Sequence, residues 1–253
     1  EAAKFLKKIF DQHEIENEVF EFKPGRANII ARLKGNGSKR PIILLSHMDV
    51  VTAEPASWDV DPFSAVIKNG SIYGRGALDM KGEGLLHLMT MILLKHAGPP
   101  LARDVIFLGT ADEEVDDIGS LWMIANKADL FKNAEYVLTE GGDNLLDGNT
   151  VKLVGVDVAE KAPFWLKLTA TGLPGHGSRP VADSATNRLI RAMNRILDWE
   201  TPVKLLPAVE QFFKDIAPLQ QEPLRAQFQN IRESLKNPDF AKALASQREF
   251  GFL

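Results

Sequence analysis

The sequence contains no cysteine, which excludes disulfide bonds, thiolate metal ligands and cysteine nucleophiles. Its longest apolar run, "LLHLMTMILL" at 85–94, falls short of the roughly 18–20 residues that a membrane span needs. Basic residues are slightly outnumbered, 30 against 34 acidic ones, and no basic block interleaved with aromatics stands out. We therefore expect neither a nucleic acid nor a membrane as a partner.

The two ends of the chain lack the marks of natural termini. The sequence begins without methionine inside a predicted helix, "EAAKFLKKIFDQH", and stops at "REFGFL" without a tail. We therefore expect a fragment of a longer protein. A signal peptide would precede residue 1, so no localisation is predicted.

Three continuous apolar runs indicate the fold class. They are "PIILLS" at 41–46, "DVIFLGT" at 104–110 and "AEYVLT" at 134–139, and each is typical of a strand buried on both faces. Predicted helices at 83–96 and 118–127 separate them. This alternation predicts an α/β fold with a layered, mostly parallel sheet.

The character of the sequence changes after about residue 160. An amphipathic strand is predicted at 162–172, "APFWLKLTATG", and a helix with an apolar stripe at 183–199; the remainder is mainly helical. We therefore predict two domains, residues 1–160 and a smaller α+β domain at 161–253.

Histidine or acidic residues follow each of the three apolar runs. The loop "GSIYGRGALDMKG" at 70–82 adds a fourth contribution, because its glycines allow a tight backbone path into an aspartate. The residues concerned are His47, Asp49, Asp79, Asp112, Glu113, Glu114 and Glu140. Ligands of open α/β sheets bind at the carboxyl ends of the strands, so we expect these side chains to converge.

Any one of these features alone has an ordinary structural explanation. His47 with Asp49 would be a capping pair, the acidic run a solvated helix start, and Asp79 an N-cap. Together, however, several carboxylates in one cleft repel each other unless a cation is present. One histidine with carboxylates and no thiolate suits zinc, with manganese or cobalt as alternatives, and the number of carboxylates suits two ions.

Two divalent ions point to hydrolysis. Ions about 3.5–4 Å apart can bridge a hydroxide and polarise a carbonyl oxygen. Of the adjacent Glu113 and Glu114, we expect one to bind metal and the other to act as general base. Asp49, two residues after His47, is expected to orient the imidazole. His176, in the turn "GLPGHGSRP" at 172–180, is a candidate donor to a developing oxyanion.

At these motifs the sequence resembles the zinc-dependent amidohydrolases and exopeptidases that include aminoacylase, glutamate carboxypeptidase, carboxypeptidase S and succinyl-diaminopimelate desuccinylase. The matching segments lie between residues 42 and 180. They are "SHMDVV", "WDVDPFSAVIKNGSIYGRGALDMKG", "TADEEV", "LTEGG" and "GLPGHGSRP". The resemblance implies a metal-dependent hydrolase that cleaves an amide bond of a peptide or N-acyl amino acid through a metal-bound hydroxide.

The resemblance also implies a role for each candidate residue. His47 and Glu140 would bind one ion and Glu114 the other, with Asp79 bridging the two. Glu113 would be the general base and Asp49 would orient His47. His176 would belong to a smaller lid domain that also forms a homodimer, and it would reach the site of the partner subunit.

The family pattern includes a further histidine ligand and substrate-carboxylate contacts, expected beyond Leu253. We therefore expect both domains to be incomplete and the 253-residue chain alone to be inactive. Two alternatives stay open on the sequence: a non-catalytic metal-binding or dimerisation module on the same scaffold, and a two-metal phosphoesterase. The "TADEEV" and "GLPGHGSRP" motifs argue against the phosphoesterase.

Overall fold

The structure is a computed structural model that describes residues 1–98, 100–142, 144–159, 162, 164–199 and 201–247. Its chain divides into two compact units, Glu1–Val156 and Asp157–Leu253. The interpretation of these units as a catalytic domain and a lid domain stays a prediction.

The first unit contains three α-helices and nine strands in its described part, besides short 3-10 and π-helical segments. The helices are α1 (Ala2–Gln12), α2 (Glu83–Ala97) and α3 (Ile118–Lys127). The strands are β1 (Glu16–Lys23), β2 (Arg26–Leu33), β3 (Ile42–His47), β4 (Val66–Lys68), β5 (Ser71–Tyr73), β6 (Val105–Thr110), β7 (Tyr136–Leu138), β8 (Asn144–Asp147) and β9 (Thr150–Val154).

Five of these strands form one mixed sheet in the order β1-β2-β6-β3-β7. Strand β3 pairs in parallel with both β6 and β7, while β2 joins β6 and β1 in antiparallel pairs. The α/β class is thereby confirmed, with the parallel part formed by the three apolar runs. Their carboxyl ends lie side by side, and this edge is where ligands of such sheets bind.

The core lies on both faces of this sheet, because successive residues of a strand point to opposite sides. On one face, Phe10 of α1 and Met91 of α2 pack with Phe107, and all three are fully buried. On the other face, Ile106 packs with Met123 of α3, also fully buried. This double coverage explains why the central strands β3 and β6 are apolar over residues 42–45 and 105–108.

The second unit is helical in its described part. Its α-helices are α4 (Ala185–Leu197), α5 (Pro207–Ile216), α6 (Leu224–Gln229), α7 (Ile231–Ser234) and α8 (Pro238–Ala245). Ser184 caps α4 by accepting a hydrogen bond from the Asn187 N–H at 3.3 Å. Phe213 and Phe228 are fully buried and stack edge to face with ring centroids 4.8 Å apart.

The strand expected at 162–172 is not formed among the described residues of that segment, so this prediction was wrong. Phe164 and Trp165 are 84% and 87% exposed. A strand is stabilised by pairing with a neighbour, and the described part of the second unit offers no partner strand. In the described part of the chain, no helix has the length and apolar character needed to cross a bilayer.

Candidate metal centre

His47 is the centre of the candidate site. It ends β3 and is only 3% exposed. Its Nε2 lies 3.0 Å from Asp79 Oδ1, 3.6 Å from Glu140 Oε1 and 3.9 Å from Glu113 Oε2. The last residue of β3 and residues that follow β6 and β7 therefore meet a residue of the segment before α2, as the sequence pattern predicts.

The tautomer of His47 follows from its backbone contact. The imidazole Nδ1 lies 3.1 Å from the carbonyl oxygen of Asp49, and a carbonyl can only accept a hydrogen bond. Nδ1 therefore carries a hydrogen, and in the neutral ring Nε2 has a free lone pair. That lone pair faces the carboxylates, which is the arrangement a metal-ligating histidine requires.

The carboxylate of Asp49 has a function that sequence reasoning missed. Its two oxygens accept hydrogen bonds from the backbone N–H groups of Glu113 and Glu114, both at 3.1 Å. The distance from Asp49 Oδ1 to His47 Nδ1 is longer, 3.6 Å. Asp49 thus holds the acidic loop after β6 as well as contacting the imidazole, so one side chain ties two strand ends together.

A tight backbone path brings Asp79 to the site. Gly76 has φ +84°, and a Cβ there would lie 2.4 Å from Val50 Cγ1, so this position requires glycine. The next anchor is Met80, which is 1% exposed and accepts a hydrogen bond from the His47 N–H through its sulfur at 3.2 Å. The Asp79 carboxylate is thereby presented beside the imidazole of His47.

The side chains form two groups, each able to surround one ion. The first consists of His47, Asp79 and Glu114, and the second of His47, Glu113 and Glu140. Within each group the potential ligand atoms all lie within 4.8 Å of one another. Glu114 belongs to the first group and Glu113 to the second. Geometry alone therefore does not tell which of the two glutamates binds metal and which acts as general base.

The electrostatics of the site favour a bound cation. Burial by itself lowers the pKa of His47, but hydrogen bonds to Asp49 and Asp79 act in the opposite direction. The negative charges of Glu140 and Glu113 add to them, and the pKa of His47 rises to about 9. Burial, opposed by His47, also raises the pKa values of Glu113 and Glu140.

This donor set fits divalent metal ions. Carboxylate oxygens and one imidazole are the ligands that zinc, manganese and cobalt accept, and excess negative charge in a partly buried cleft is compensated by a cation. The residues that would hold the ions are His47, Asp79, Glu113 or Glu114, and Glu140.

His176 lies in the second unit, on an exposed turn closed by a hydrogen bond from the Arg179 N–H to the His176 carbonyl at 2.9 Å. Its Nδ1 accepts a hydrogen bond from the Ser178 N–H at 3.2 Å, so Nε2 carries the hydrogen. An exposed Nε2–H is a suitable donor to an oxyanion, and the catalytic role of His176 stays a prediction.

Sequence reasoning also overlooked two polar residues of β2. Asn28 is fully buried and Arg26 forms an ion pair with the buried Asp112. A polar amide inside the apolar strand "ANIIARL" is a signal that could have found Asn28, because a buried amide needs partners.

Comparison with known proteins decides the family. The sequence model of the family described as "Peptidase family M20/M25/M40" matches residues 43–241 of this chain. The chain belongs to this family. Its resemblance to aminoacylases and desuccinylases is thereby confirmed.

Within the M20/M25/M40 family, the chain is 32% identical over 222 residues to a "Probable succinyl-diaminopimelate desuccinylase" of Staphylococcus aureus, covering 87% of this chain and 52% of that protein. It is 33% identical over 206 residues to "Aminoacylase-1" of Sus scrofa, covering 80% and 49%. A solved M20 metallo-carboxypeptidase from Sulfolobus solfataricus is 27% identical, with TM-score 0.48, covering 55% of this chain and 31% of that chain. The chain spans about half the length of the curated relatives it matches.

Proposed function

We propose that the full-length protein is a metal-dependent hydrolase that cleaves the amide bond of a peptide or an N-acyl amino acid. The observation that carries this proposal is the meeting of His47 with Asp79, Glu113 and Glu140 in a member of the M20/M25/M40 family. A desuccinylase and an aminoacylase both cleave N-acyl groups, which supports an amide as the substrate.

Each residue of the site has a proposed role. His47 and Glu140 would hold one ion, Glu114 would hold the other, and Asp79 would contribute a ligand to both. Bound divalent ions would supply Lewis acidity for the substrate carbonyl and lower the pKa of an attacking water.

Glu113 moves the proton. Its carboxylate accepts a proton from the attacking water and passes it to the leaving amine. Burial raises the pKa of Glu113 above the usual glutamate value, against the attraction of His47, and a higher pKa makes it a stronger base. The backbone N–H of Glu113 is fixed by Asp49, which limits the positions its side chain can take.

Two finer assignments complete the proposal. We expect zinc as the metal, with manganese and cobalt as alternatives, because the ligands are nitrogen and oxygen atoms without thiolates. We expect a homodimer formed through residues 161–253, in which His176 contributes a hydrogen bond to the oxyanion in the partner's site.

A substrate panel tests this function. The full-length protein is loaded with zinc and assayed on dipeptides, N-acetyl and N-succinyl amino acids and a phosphodiester. We expect amide hydrolysis that Glu113→Gln reduces at least a hundredfold. Phosphodiester cleavage without amide hydrolysis would contradict the proposal, and bound metal without turnover of any substrate would indicate a non-catalytic module instead.

A further inference from the structure

Glu113 and Glu114 lie in a loop, residues 111–119, whose last two residues form the start of α3. Its two ends, Ala111 and Gly119, lie close together and are called the neck of the loop. At its base the Gly119 N–H donates to the Ala111 carbonyl at 3.0 Å. A Cβ on Gly119 would lie 2.1 Å from that same carbonyl oxygen, so only glycine allows the two chain segments to approach this closely.

The neck is completed by the side chain of Asn28. Its Oδ1 accepts a hydrogen bond from the Ala111 N–H at 2.9 Å, and its Nδ2 donates to the Gly119 carbonyl at 3.0 Å. Because Asn28 is 0% exposed, water cannot replace either bond. One amide therefore spans the entry and the exit of the loop.

The backbone of the loop needs such support. Three of its non-glycine residues, Asp112, Asp116 and Asp117, have φ between +53° and +65°. Aspartate tolerates this left-handed region better than most L-residues, but three such residues within six positions still favour a loop that other contacts hold in place. Contacts from outside must hold it, and Arg26 supplies one more through its ion pair with Asp112.

The register of the sheet explains why β2 can do this. Strand β2 runs antiparallel to β6, with Ile29 opposite Gly109, so the start of β2 lies beside the end of β6. Asn28 is thus placed where the chain leaves β6 and turns toward Glu113. The side-chain amide extends the hydrogen bonding of the sheet past the last paired residue.

We propose that Asn28 is a positioning residue that sets the geometry of the metal centre by fixing the neck of the 111–119 loop. It acts through Glu113 and Glu114 rather than by touching an ion. This inference rests on the proposed role of these glutamates at a two-metal site. Asp49 accepts hydrogen bonds from the Glu113 and Glu114 N–H groups, so the two glutamates have an anchor of their own besides the neck.

The test measures metal affinity in full-length protein stripped of metal, by competition with a chromophoric chelator. Asn28→Leu keeps the approximate volume and removes both bonds. Ile30→Ala is the matched control. Ile30 is 6% exposed and lies on the same face of β2, in the core cluster with Ile106 and Met123, but its aliphatic side chain makes no hydrogen bond to Ala111 or Gly119. We expect Asn28→Leu to weaken binding about 10–100-fold, the range for groups that orient metal ligands, while Ile30→Ala stays within twofold of wild type.

Asn28→Ser provides a second variant, too short to span both partners, in case Asn28→Leu does not fold. We expect it to lose at least fivefold in metal affinity. In NMR spectra of the metal-free protein, the backbone amide signals of Glu113 and Glu114 should broaden or shift. Affinity within twofold of wild type in a folded Asn28 variant would overturn the inference. A wild-type protein that binds no divalent ion would instead overturn the proposed function, so the two failures are distinguishable.

Discussion

The Asp49 carboxylate accepts a hydrogen bond from the Glu113 backbone N–H at 3.1 Å, and so links the end of β3 to the acidic loop after β6. Its second oxygen bonds the Glu114 N–H at the same distance. These bonds oppose the burial that would otherwise raise the pKa of Asp49, and together with His47 they keep that pKa below its usual value.

Asp49→Asn should weaken metal binding about 10–100-fold, because the neutral amide keeps only one acceptor oxygen for two N–H donors. Titration of metal-free protein measures the effect. Asp59→Asn, an exposed aspartate of the same unit, serves as the control and should bind metal like wild type. Equal affinities of the two variants would refute the anchoring role of Asp49.

Glu113 and Glu114 should respond differently to the same substitution. Glu113→Gln is expected to keep two ions per chain while kcat falls about 10²–10⁴-fold, the usual contribution of a general base. Glu114→Gln is expected to lose one of the two ions at equal metal concentration. Metal analysis beside steady-state kinetics separates the outcomes, and the reverse pattern would exchange the two roles.

His176→Ala should lower kcat about 10²–10³-fold, the cost of one oxyanion donor, and leave metal content unchanged. His13→Ala replaces a histidine of the first unit that contacts His96 at 2.7 Å, and should keep wild-type kcat. Unchanged turnover in His176→Ala would remove this residue from the catalytic machinery.

The surroundings of Asp104, which lies away from the metal centre, make the free energy of unfolding depend on pH. Burial raises its pKa, but the Gly35 N–H at 2.9 Å and Arg32 at 2.6 Å outweigh burial and lower it. A carboxylate with a lowered folded-state pKa stabilises the fold above its unfolded value of about 3.9, and this contribution is lost as the pH falls through the folded pKa.

Asp104→Asn should therefore lower the free energy of unfolding by about 1–2 kcal/mol at pH 7, the low end for charged hydrogen bonds because Asp104 is partly exposed. The difference from wild type should shrink below pH 4. Urea unfolding at several pH values measures it, and Asp129→Asn, which removes an exposed pair with Lys132, should change little. A difference that is constant down to pH 3 would disagree with the assignment.

Some parts of this structure could be predicted because their signals are local. The helix at 118–127 and the strand at 104–110 match α3 and β6 to within a residue, since periodicity and apolar runs report burial directly. The convergence around His47 followed from a general property of parallel sheets.

Other parts depend on contacts between distant residues. Nothing near Asn28 in sequence indicates that its partners are Ala111 and Gly119, more than 80 residues away. The segment 162–172 has the alternation of a strand but no described partner to pair with, so its pattern alone was misleading. Pairing is decided by tertiary context, which a single local pattern does not contain.

Metal removal tests the central claim most directly. Full-length protein is stripped with a chelator, analysed for bound metal and assayed on N-acyl amino acids and dipeptides while zinc, manganese or cobalt is added back. We predict no amide hydrolysis without metal, and recovery that rises with bound ion up to two per chain. Full amide hydrolysis by protein that contains no divalent ion would contradict the account.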